Sequence, residues 1–267
     1  MLIVGERINS SRKRIREAIA ARDAEFIQQE ARQQDQAGAD LIDVNCGTFI
    51  GQEVACMEWL VETIQEVTRK PLCLDSPDPE TVQAALRWHR NGQPMVNSIS
   101  NEADRLQKLA PLVRDAGALV VGLCVGRTGA MPRTAADRLE EASALIEGLT
   151  GFGVPLEHIY IDPVVCPVAN DTQAAVAVME AIRGIKAKYP GVRTICGLSN
   201  VSFGLPLRHL LNQNFLVLCM AAGLDGVILD PLDKRIMSNV WAAEALLGRD
   251  EFCMGYVMAN RQGRLTL

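Results

Sequence analysis

Carboxylate and carboxamide side chains recur in this sequence where short apolar runs end. A carboxylate accepts two parallel N–H bonds, and a carboxamide both donates and accepts. Such a set suits a flat ligand whose edge carries several N–H donors and ring acceptors, as an aminopyrimidine of the guanine or pterin kind does. In chain order the side chains are Glu6, Asn9, Asp43, Asn45, Asp75, Asn97, the weakly polar Cys124, Asp162, Ser199, Asn200 and Asp230.

Helix capping is the alternative interpretation of these residues, because Asp, Asn and Ser accept hydrogen bonds from the free N–H groups that begin a helix. Ser76 and Asp78 precede the helix after Asp75, and Asn101 precedes the helix after Asn97. Asp75 and Asn97 are therefore not needed as caps.

We expect a ligand-binding role for four of the polar residues, namely Asp75, Asn97, Asp162 and Asn200. For three others, hydrogen bonding within the rim of the fold is an equally good interpretation. These are Asp43, Asn45 and Asp230.

The elements that must position these residues alternate between short Val-, Ile- and Leu-rich runs and amphipathic helical stretches. The 267 residues divide into eight units of about 33, close to the roughly 250 residues of a closed eightfold barrel. Glu6-Arg7-Ile8-Asn9 ends the first strand without the glycine-rich turn of a doubly wound sheet. The sequence therefore predicts an α/β fold, a single (β/α)8 TIM barrel that forms one domain over residues 1–267.

Eight strands and the helices between them can be placed on the chain. The predicted strands are Leu2 to Arg7, Leu41 to Cys46, Leu72 to Asp75, Met95 to Ser98, Leu119 to Val125, Ile159 to Val164, Thr194 to Ser199 and Gly226 to Asp230. The predicted helices include Val54 to Thr68, Pro79 to Arg90, Ala103 to Ala116, Thr134 to Thr150, Thr172 to Lys188, Pro206 to Ala222 and Asp233 to Leu247.

Composition excludes several classes of function. The net charge is −5 with no Lys- or Arg-rich run, which argues against a nucleic-acid partner. No window approaches the roughly 18 apolar residues of a membrane span and no leader is apparent, so we expect a cytoplasmic protein without a membrane partner. The eight cysteines form no C-x-x-C pair and the three histidines form no cluster. We expect the cysteines to pack in the core and no metal to be held by the protein.

Several stretches together resemble one family. They are Ile3-Val4-Gly5-Glu6-Arg7-Ile8-Asn9, Leu41-Ile42-Asp43-Val44-Asn45, Met57-Glu58-Trp59-Leu60-Val61, Leu72-Cys73-Leu74-Asp75-Ser76, Asn97-Ser98, Tyr160-Ile161-Asp162-Pro163, Gly197-Leu198-Ser199-Asn200-Val201-Ser202 and Gly223-Leu224-Asp225. From end to end, the chain resembles the methyltetrahydrofolate:corrinoid methyltransferases. These share a pterin-binding barrel with the folate domain of cobalamin-dependent methionine synthase and, more distantly, with dihydropteroate synthase.

The resemblance implies transfer of a methyl group between a corrinoid and nitrogen 5 of tetrahydrofolate. It places the aminopyrimidine ring on Asp75, Asn97 and Asp162 and gives Asn200 the catalytic position beside nitrogen 5. It also implies a homodimer. Further residues expected to contact the folate are Glu6, Asn9, Ser199 and Arg208.

Two features bear on the partner and on the direction of transfer. The D-x-H-x-x-G signature of cobalamin domains is missing, so the corrinoid must arrive on a partner protein or as free methylcobalamin. No histidine ends a predicted strand as an acid beside Asn200, which favours formation of 5-methyltetrahydrofolate, because methylating a positioned amine requires no proton donor.

Phe203 marks a departure from the family, whose corrinoid/iron–sulfur protein methyltransferases have Gln there. Its ring can stack on the pterin or the corrin, and plain packing is as good an interpretation. Two other functions stay open. A dihydropteroate synthase needs cations for a pyrophosphate leaving group, and the strand ends offer only Arg7, Arg127 and Arg208. A noncatalytic pterin-binding module is the third candidate.

Overall fold

Eight parallel strands pair in chain order, and the first pairs with the last to close a barrel. The structure is a computed structural model that describes residues 1–102 and 104–266. The predicted single (β/α)8 barrel is confirmed. The strands are β1 (Leu2–Asn9), β2 (Leu41–Asn45), β3 (Leu72–Asp75), β4 (Met95–Ser100), β5 (Leu119–Leu123), β6 (Ile159–Asp162), β7 (Arg193–Gly197) and β8 (Gly226–Leu229).

Helices surround the barrel on its outer side. They are α1 (Lys13–Ala21), α2 (Ala24–Gln36), α3 (Glu53–Gln65), α4 (Pro79–Trp88), α5 (Arg105–Asp115), α6 (Ala135–Gly151), α7 (Ala174–Lys188), α8 (Arg208–Ala222), α9 (Lys234–Leu246) and α10 (Met254–Arg261). Short 3-10 turns occupy Leu156–His158, Leu198–Ser202 and Glu251–Cys253. The helices predicted from sequence do not include α1, α2 and α10. The predicted helix start at Ala103, and Leu267 at the end of the predicted domain, lie outside the described residues.

Strand side chains alternate between the barrel interior and the helices, as the period of two requires. The interior is packed by a buried cluster that includes Val4 of β1, Cys73 of β3 and Tyr160 of β6. The intervening positions, such as Val44 and Leu74, pack against the surrounding helices. Some strand positions that alternate toward the barrel interior lie near the carboxyl ends of the strands, and there the side chains are polar. They are Glu6, Asp43, Asn45, Asp75, Asn97 and Asp162.

Helix ends follow local chemistry. Gly38, Gly117 and Gly223 adopt φ values of 100°, 60° and 112°, a left-handed conformation that costs glycine little and stops the preceding helix. Asp78 caps α4 by accepting a bond from the Thr81 N–H at 2.9 Å, as expected. Asn101 does not cap α5, because the residue that directly precedes this helix is Asp104; the Asn101 amide instead donates to the Glu141 carbonyl at 3.0 Å.

Five predicted strands end earlier than expected, β2 and β8 by one residue and β5, β6 and β7 by two, because the chain turns at once toward the next helix. Cys124, Val164 and Ser199 therefore lie in connections rather than in β5, β6 and β7. Six cysteines are buried as predicted, whereas Cys166 is half-buried and Cys253 is exposed. In residues 1–102 and 104–266, no helix is long and apolar enough to cross a membrane.

Candidate active site

The carboxyl ends of β2 and β3 hold an amide and a carboxylate in contact. Asn45 and Asp75 are paired in register, and the Asn45 Nδ2 donates to Asp75 Oδ2 at 3.0 Å. The Asn45 oxygen accepts bonds from the Ser10 hydroxyl at 3.1 Å and the Gly47 N–H at 3.2 Å. Asn45 is thus engaged at both ends of its amide and orients Asp75, which favours the rim hydrogen-bonding interpretation of Asn45.

The surroundings of Asp75 raise the pKa of its carboxyl group toward neutral pH. Its pKa is raised to about 6, because burial, with a smaller contribution from the Glu53 carboxylate, outweighs the hydrogen bond from Asn45, which lowers the pKa. A carboxylate in this setting gains much from a ligand that offers N–H donors, because those bonds replace the lost solvation.

Asp43 lies one residue layer below Asp75 and is buried. It accepts a hydrogen bond at 3.3 Å from Asn97 Nδ2 on β4. Burial and the nearby Asp75 carboxylate raise its pKa well above the ordinary range. This bond holds the amide nitrogen of Asn97 down toward the barrel interior. The amide oxygen of Asn97 is therefore directed away from Asp43. Asp43 is a support for the site rather than part of its open surface.

Asp162 ends β6 on the opposite wall and is buried. Its two oxygens accept backbone bonds from the Val164 N–H at 2.8 Å and the Gly197 N–H at 3.3 Å. Its pKa is raised to about 6, because burial outweighs the two backbone bonds and the Arg138 charge, all of which lower the pKa. Two backbone donors thus fix the orientation of this carboxylate without any side-chain partner on a neighbouring strand.

Arg138, on α6, is a residue that the sequence patterns did not single out. Its guanidinium is fully buried and donates to the carbonyls of Pro163 at 2.6 Å, Val164 at 3.1 Å and Thr134 at 3.0 Å. The sequence did contain an indication that Arg138 is buried. The apolar stripe of α6 runs through Ala142 and Leu145, and Arg138 occupies the stripe position four residues before Ala142.

The turn after β7 carries the predicted residues of the seventh unit. Ser199 and Asn200 lie in the 3-10 turn, not on the strand. Arg208 donates to the Ser199 carbonyl at 2.8 Å and the Ser202 hydroxyl at 3.0 Å, and its guanidinium lies 4.5 Å from the centre of the Phe203 ring. Arg208 and the Ser199 backbone therefore shape the turn.

Asn200 lies within the 3-10 turn, and Phe203 is the residue that directly follows it, with its N–H bonded to the Asn200 carbonyl at 3.2 Å. Asn200 is partly exposed, and the Phe203 ring is 48% exposed. The β7 turn and the residue that follows it thus offer an amide that can donate or accept and an aromatic ring, both reachable by solvent or a ligand.

Glu6 lies within β1, where the pairing with β2 shifts register between Gly5 and Ile8, and it is near enough to Arg208 for that charge to act on its carboxyl group. Burial and the Asp230 carboxylate raise its pKa to about 7, whereas the charges of Arg12 and Arg208 lower it. Asp230 is held at the rim by Arg7 at 2.8 Å, which favours its structural interpretation.

Asn9 forms a local turn, because its side-chain oxygen accepts the Ser11 N–H at 2.9 Å. Among the residues that the structure describes, no group of three or more His, Cys, Asp or Glu side chains could hold a metal ion. The mouth therefore combines acids and amides on β3, β4 and β6 with a mixed acid and arginine corner at β1 and β7. This arrangement can accept several N–H donors from a heterocycle edge.

Comparisons with known proteins identify relatives of this chain and its family. The chain is 35% identical over 267 residues to the methylcorrinoid:tetrahydrofolate methyltransferase of Eubacterium limosum, with 99% of this chain and 98% of that protein covered. It is 36% identical over 242 residues to the methionine synthase of Mycobacterium tuberculosis (strain ATCC 25618 / H37Rv), covering 85% of this chain and 20% of that protein. The chain thus spans about a fifth of the methionine synthase.

Solved structures of dihydropteroate synthases share the fold. The enzyme from Thermus thermophilus superposes with a TM-score of 0.69 at 16% identity, covering 92% of this chain and 93% of that chain. The Yersinia pestis enzyme in complex with a pterine-sulfa conjugate gives 0.70 at 14% identity, covering 92% and 94%. At such low identity the likeness concerns the fold alone. The family of pterin binding enzymes matches residues 5–230. With the barrel and its polar mouth, that match shows that this chain belongs to the pterin binding enzymes.

Proposed function

We propose that this protein is a methyltransferase that moves a methyl group from a corrinoid to nitrogen 5 of tetrahydrofolate. The observation that carries the proposal is the end-to-end likeness to a methylcorrinoid:tetrahydrofolate methyltransferase, 35% identical with 99% of this chain covered. That relative's name also gives the direction, with the methylated corrinoid as donor, and it agrees with the direction favoured by the absence of a strand-end histidine.

Pterin binding is assigned to the acids and the amide on the inner wall. Asp75 and Asp162 accept the N–H groups of the aminopyrimidine, and Asn97 presents its oxygen because its nitrogen is held by Asp43. Both acids have pKa values of about 6, so they are mostly ionised at neutral pH and ready to accept. Charge-assisted bonds of this kind are about twice as strong as neutral ones.

Methyl transfer is assigned to the β7 turn beside the bound pterin. The lone pair of nitrogen 5 attacks the methyl carbon, the carbon–cobalt bond breaks with its electron pair staying on cobalt, and the amine then loses its proton. Asn200 orients nitrogen 5 and serves both protonation states, because its amide can accept from N–H or donate to the lone pair. Precise placement of an amine nucleophile supplies much of the acceleration.

Glu6 is the group in the mouth suited to carry a proton at neutral pH, because its pKa is raised to about 7. We assign it the proton released from nitrogen 5, by direct contact or through water. Asn9, Ser199 and Arg208 shape the surrounding turns, since their observed bonds run to the backbone or to Ser202.

The corrinoid is treated as a substrate that arrives from outside the chain, either on a separate corrinoid protein or as free methylcobalamin. We further propose that residues 1–267 form one domain, and that the protein acts in the cytoplasm as a homodimer. Apolar side chains exposed near the C-terminus, including Phe252 at 87% and Leu246 at 84%, support self-association. Gel filtration with light scattering tests the dimer.

An anaerobic absorbance assay tests the reaction. Methylcobalamin and tetrahydrofolate are mixed with the protein and the spectrum of the corrinoid is followed, then reduced cobalamin and methyltetrahydrofolate are mixed in the reverse assay. We expect demethylation of the corrinoid that depends on both tetrahydrofolate and protein. If neither mixture transfers methyl, with or without a corrinoid protein, methyl transfer is wrong, and folate binding without transfer identifies a pterin-binding module.

Dihydropteroate synthesis is disfavoured by the state of the arginines near the mouth. Arg7 is paired with Glu30 at 2.7 Å and Asp230 at 2.8 Å, and Arg208 is bonded within the β7 turn. A pyrophosphate leaving group would have to compete with these bonds. The same preparation, assayed with a pterin pyrophosphate and p-aminobenzoate, is expected to form no dihydropteroate.

A further inference from the structure

We infer that Arg138 is a positioning residue for Asp162: it clamps the connection after β6 so that the carboxylate is held, ionised, toward the pterin. The inference rests on the proposed role of Asp162 in pterin binding. Arg138 belongs to a helix outside the barrel and has no place among the residues that the family resemblance implied.

The contacts of Arg138 join two pieces of chain. Its Nε and Nη2 donate to the consecutive carbonyls of Pro163 and Val164, and Nη1 donates to the carbonyl of Thr134, the residue that caps α6. All three bonds go to backbone oxygens, and the side chain is 0% exposed. A planar guanidinium can span two adjacent carbonyls in this way, whereas a lysine ammonium cannot.

The clamped connection has a backbone shape that requires support. Val164 has φ of +61°, a left-handed conformation that is unfavourable for a β-branched residue. In that conformation the Val164 N–H lies 2.8 Å from Asp162 Oδ1. The bond that orients the carboxylate therefore depends on a turn that the chain would not adopt by itself, and Arg138 binds the carbonyls on both sides of that N–H.

Charge acts in the same direction as geometry. The thiols of Cys124, in the connection after β5, and Cys196, on β7, act on Asp162 only as neutral groups, because burial raises the pKa of Cys124, and a hydrogen bond with Cys219 together with burial raises that of Cys196. The Arg138 guanidinium is the charged group that lowers the pKa of Asp162. Without this charge, less would counteract the rise in pKa that burial causes, so Asp162 would be protonated at a higher pH.

Tetrahydrofolate binding across pH provides the test, by anaerobic titration calorimetry of wild type, Arg138→Met and Arg138→Lys. Ionised Asp162 accepts N–H bonds, so wild-type affinity falls as pH drops through about 6. Arg138→Met should weaken binding about tenfold at neutral pH. It should also shift the acid limb, the part of the affinity–pH curve where affinity falls at low pH, up by about one pH unit. Arg138→Lys keeps the charge but loses the two-carbonyl contact that supports the Val164 N–H bond, so its affinity falls and its acid limb moves up by less than that of Arg138→Met.

Arg193→Met is the matched control. Arg193 lies at the amino end of β7 and donates to the Tyr160 hydroxyl of β6 at 2.7 Å, so it contacts the same strand as Asp162 from the other end. This variant should change the melting temperature more than the affinity and leave the acid limb in place.

A rescue experiment keeps the inference testable if Arg138→Met does not fold. Glycine adopts φ of +61° without the penalty that valine incurs, so Val164→Gly added to Arg138→Lys should recover part of the lost affinity. Wild-type affinity and an unmoved acid limb in foldable Arg138 variants, or no recovery in the double variant, would overturn the inference. Absence of folate binding by the wild type would instead overturn the proposed function.

Discussion

Asp75 and Asp162 stand on opposite walls of the same barrel mouth and reach similar pKa values of about 6 by different constructions. Asp75 is oriented by one side-chain amide, Asn45, on the adjacent strand. Asp162 is oriented by two backbone N–H groups, one of which belongs to a turn that Arg138 clamps.

The difference between the two walls concerns what holds each acid in place. The Asp75 wall depends on strand register, which the whole barrel enforces. The Asp162 wall depends on loop conformation, which a few hydrogen bonds enforce. Equivalent ligand contacts can therefore rest on supports of unequal robustness, and substitutions at the two acids should separate binding from stability.

The largest expected effect comes from replacing each acid by its amide. Asp75→Asn and Asp162→Asn should each weaken tetrahydrofolate binding about a hundredfold, because each removes a charged acceptor. Calorimetric titration measures this loss.

Thermal unfolding should distinguish the same two variants. Asp75→Asn removes the cost of ionising a buried acid, about 2 to 3 kcal/mol for a pKa moved from 3.8 to about 6, so it should be more stable than wild type at pH 7. Asp162→Asn presents an NH2 group to one of two backbone N–H donors, which offsets that gain. Equal gains in melting temperature for both variants would contradict the proposed difference.

Asn200→Ala should have the next largest effect, on turnover rather than on binding. Loss of the group that orients nitrogen 5 should lower kcat by about tenfold to a hundredfold and leave tetrahydrofolate affinity within about threefold. The methylcobalamin assay measures kcat. Asn214→Ala, which removes an exposed amide of α8, is the control. Equal losses in kcat and affinity would show that Asn200 only binds.

Asn45→Ala should have a smaller effect, confined to the Asp75 wall. It removes the bond that lowers the pKa of Asp75, so the acid limb of tetrahydrofolate binding should rise in pH and affinity at neutral pH should fall by about threefold to tenfold. Ser10→Ala removes the 3.1 Å bond to the other end of the Asn45 amide and leaves the bond to Asp75 intact. A similar acid-limb shift in both variants would argue against this specific coupling.

The pH dependence of stability tests the same raised pKa values without a ligand. Asp75 and Asp162 have folded pKa values of about 6, above the ordinary 3.8, so the folded state binds more protons than the unfolded chain between these values. Their contribution therefore favours folding at low pH and is lost as pH rises from about 4 to about 6. Urea unfolding of wild type and Asp75→Asn across this range measures it: the difference in unfolding free energy between the two should grow with pH and level off above about 6.

Strand-end parity made much of the site predictable from sequence. Asp75, Asn97 and Asp162 end short apolar runs, and the period of two carries them to the barrel interior. The residues that hold these side chains in place were harder to predict from sequence, because their positions depend on the layers of the barrel and on loop conformation. The sequence placed Asp43 at the mouth, whereas it lies one layer below, and it placed Ser199 on a strand that ends at Gly197.

Arg138 shows why such a support escapes notice. An arginine in an amphipathic helix is normally solvated, and only the carbonyls of a distant loop make this one a buried clamp. The helices α1 and α2 are harder to predict, because polar residues dominate the first connection and leave only a thin apolar stripe on each helix. Boundary shifts of one or two residues elsewhere reflect caps such as Thr134 and Asp233, which precede the helices that they cap.

Closure of the barrel through β1 and β8 has a consequence for assembly of the site. Arg7 and Asp230 form a bond across 223 positions of the chain, and Glu6 shares their corner with Arg208. The first and last strands of the barrel must therefore meet before this corner exists, while the acids on β3 and β6 come from strands between them. A nascent or truncated chain lacking β8 would present acids without the corner, so competence for methyl transfer should arise only when the ring is complete.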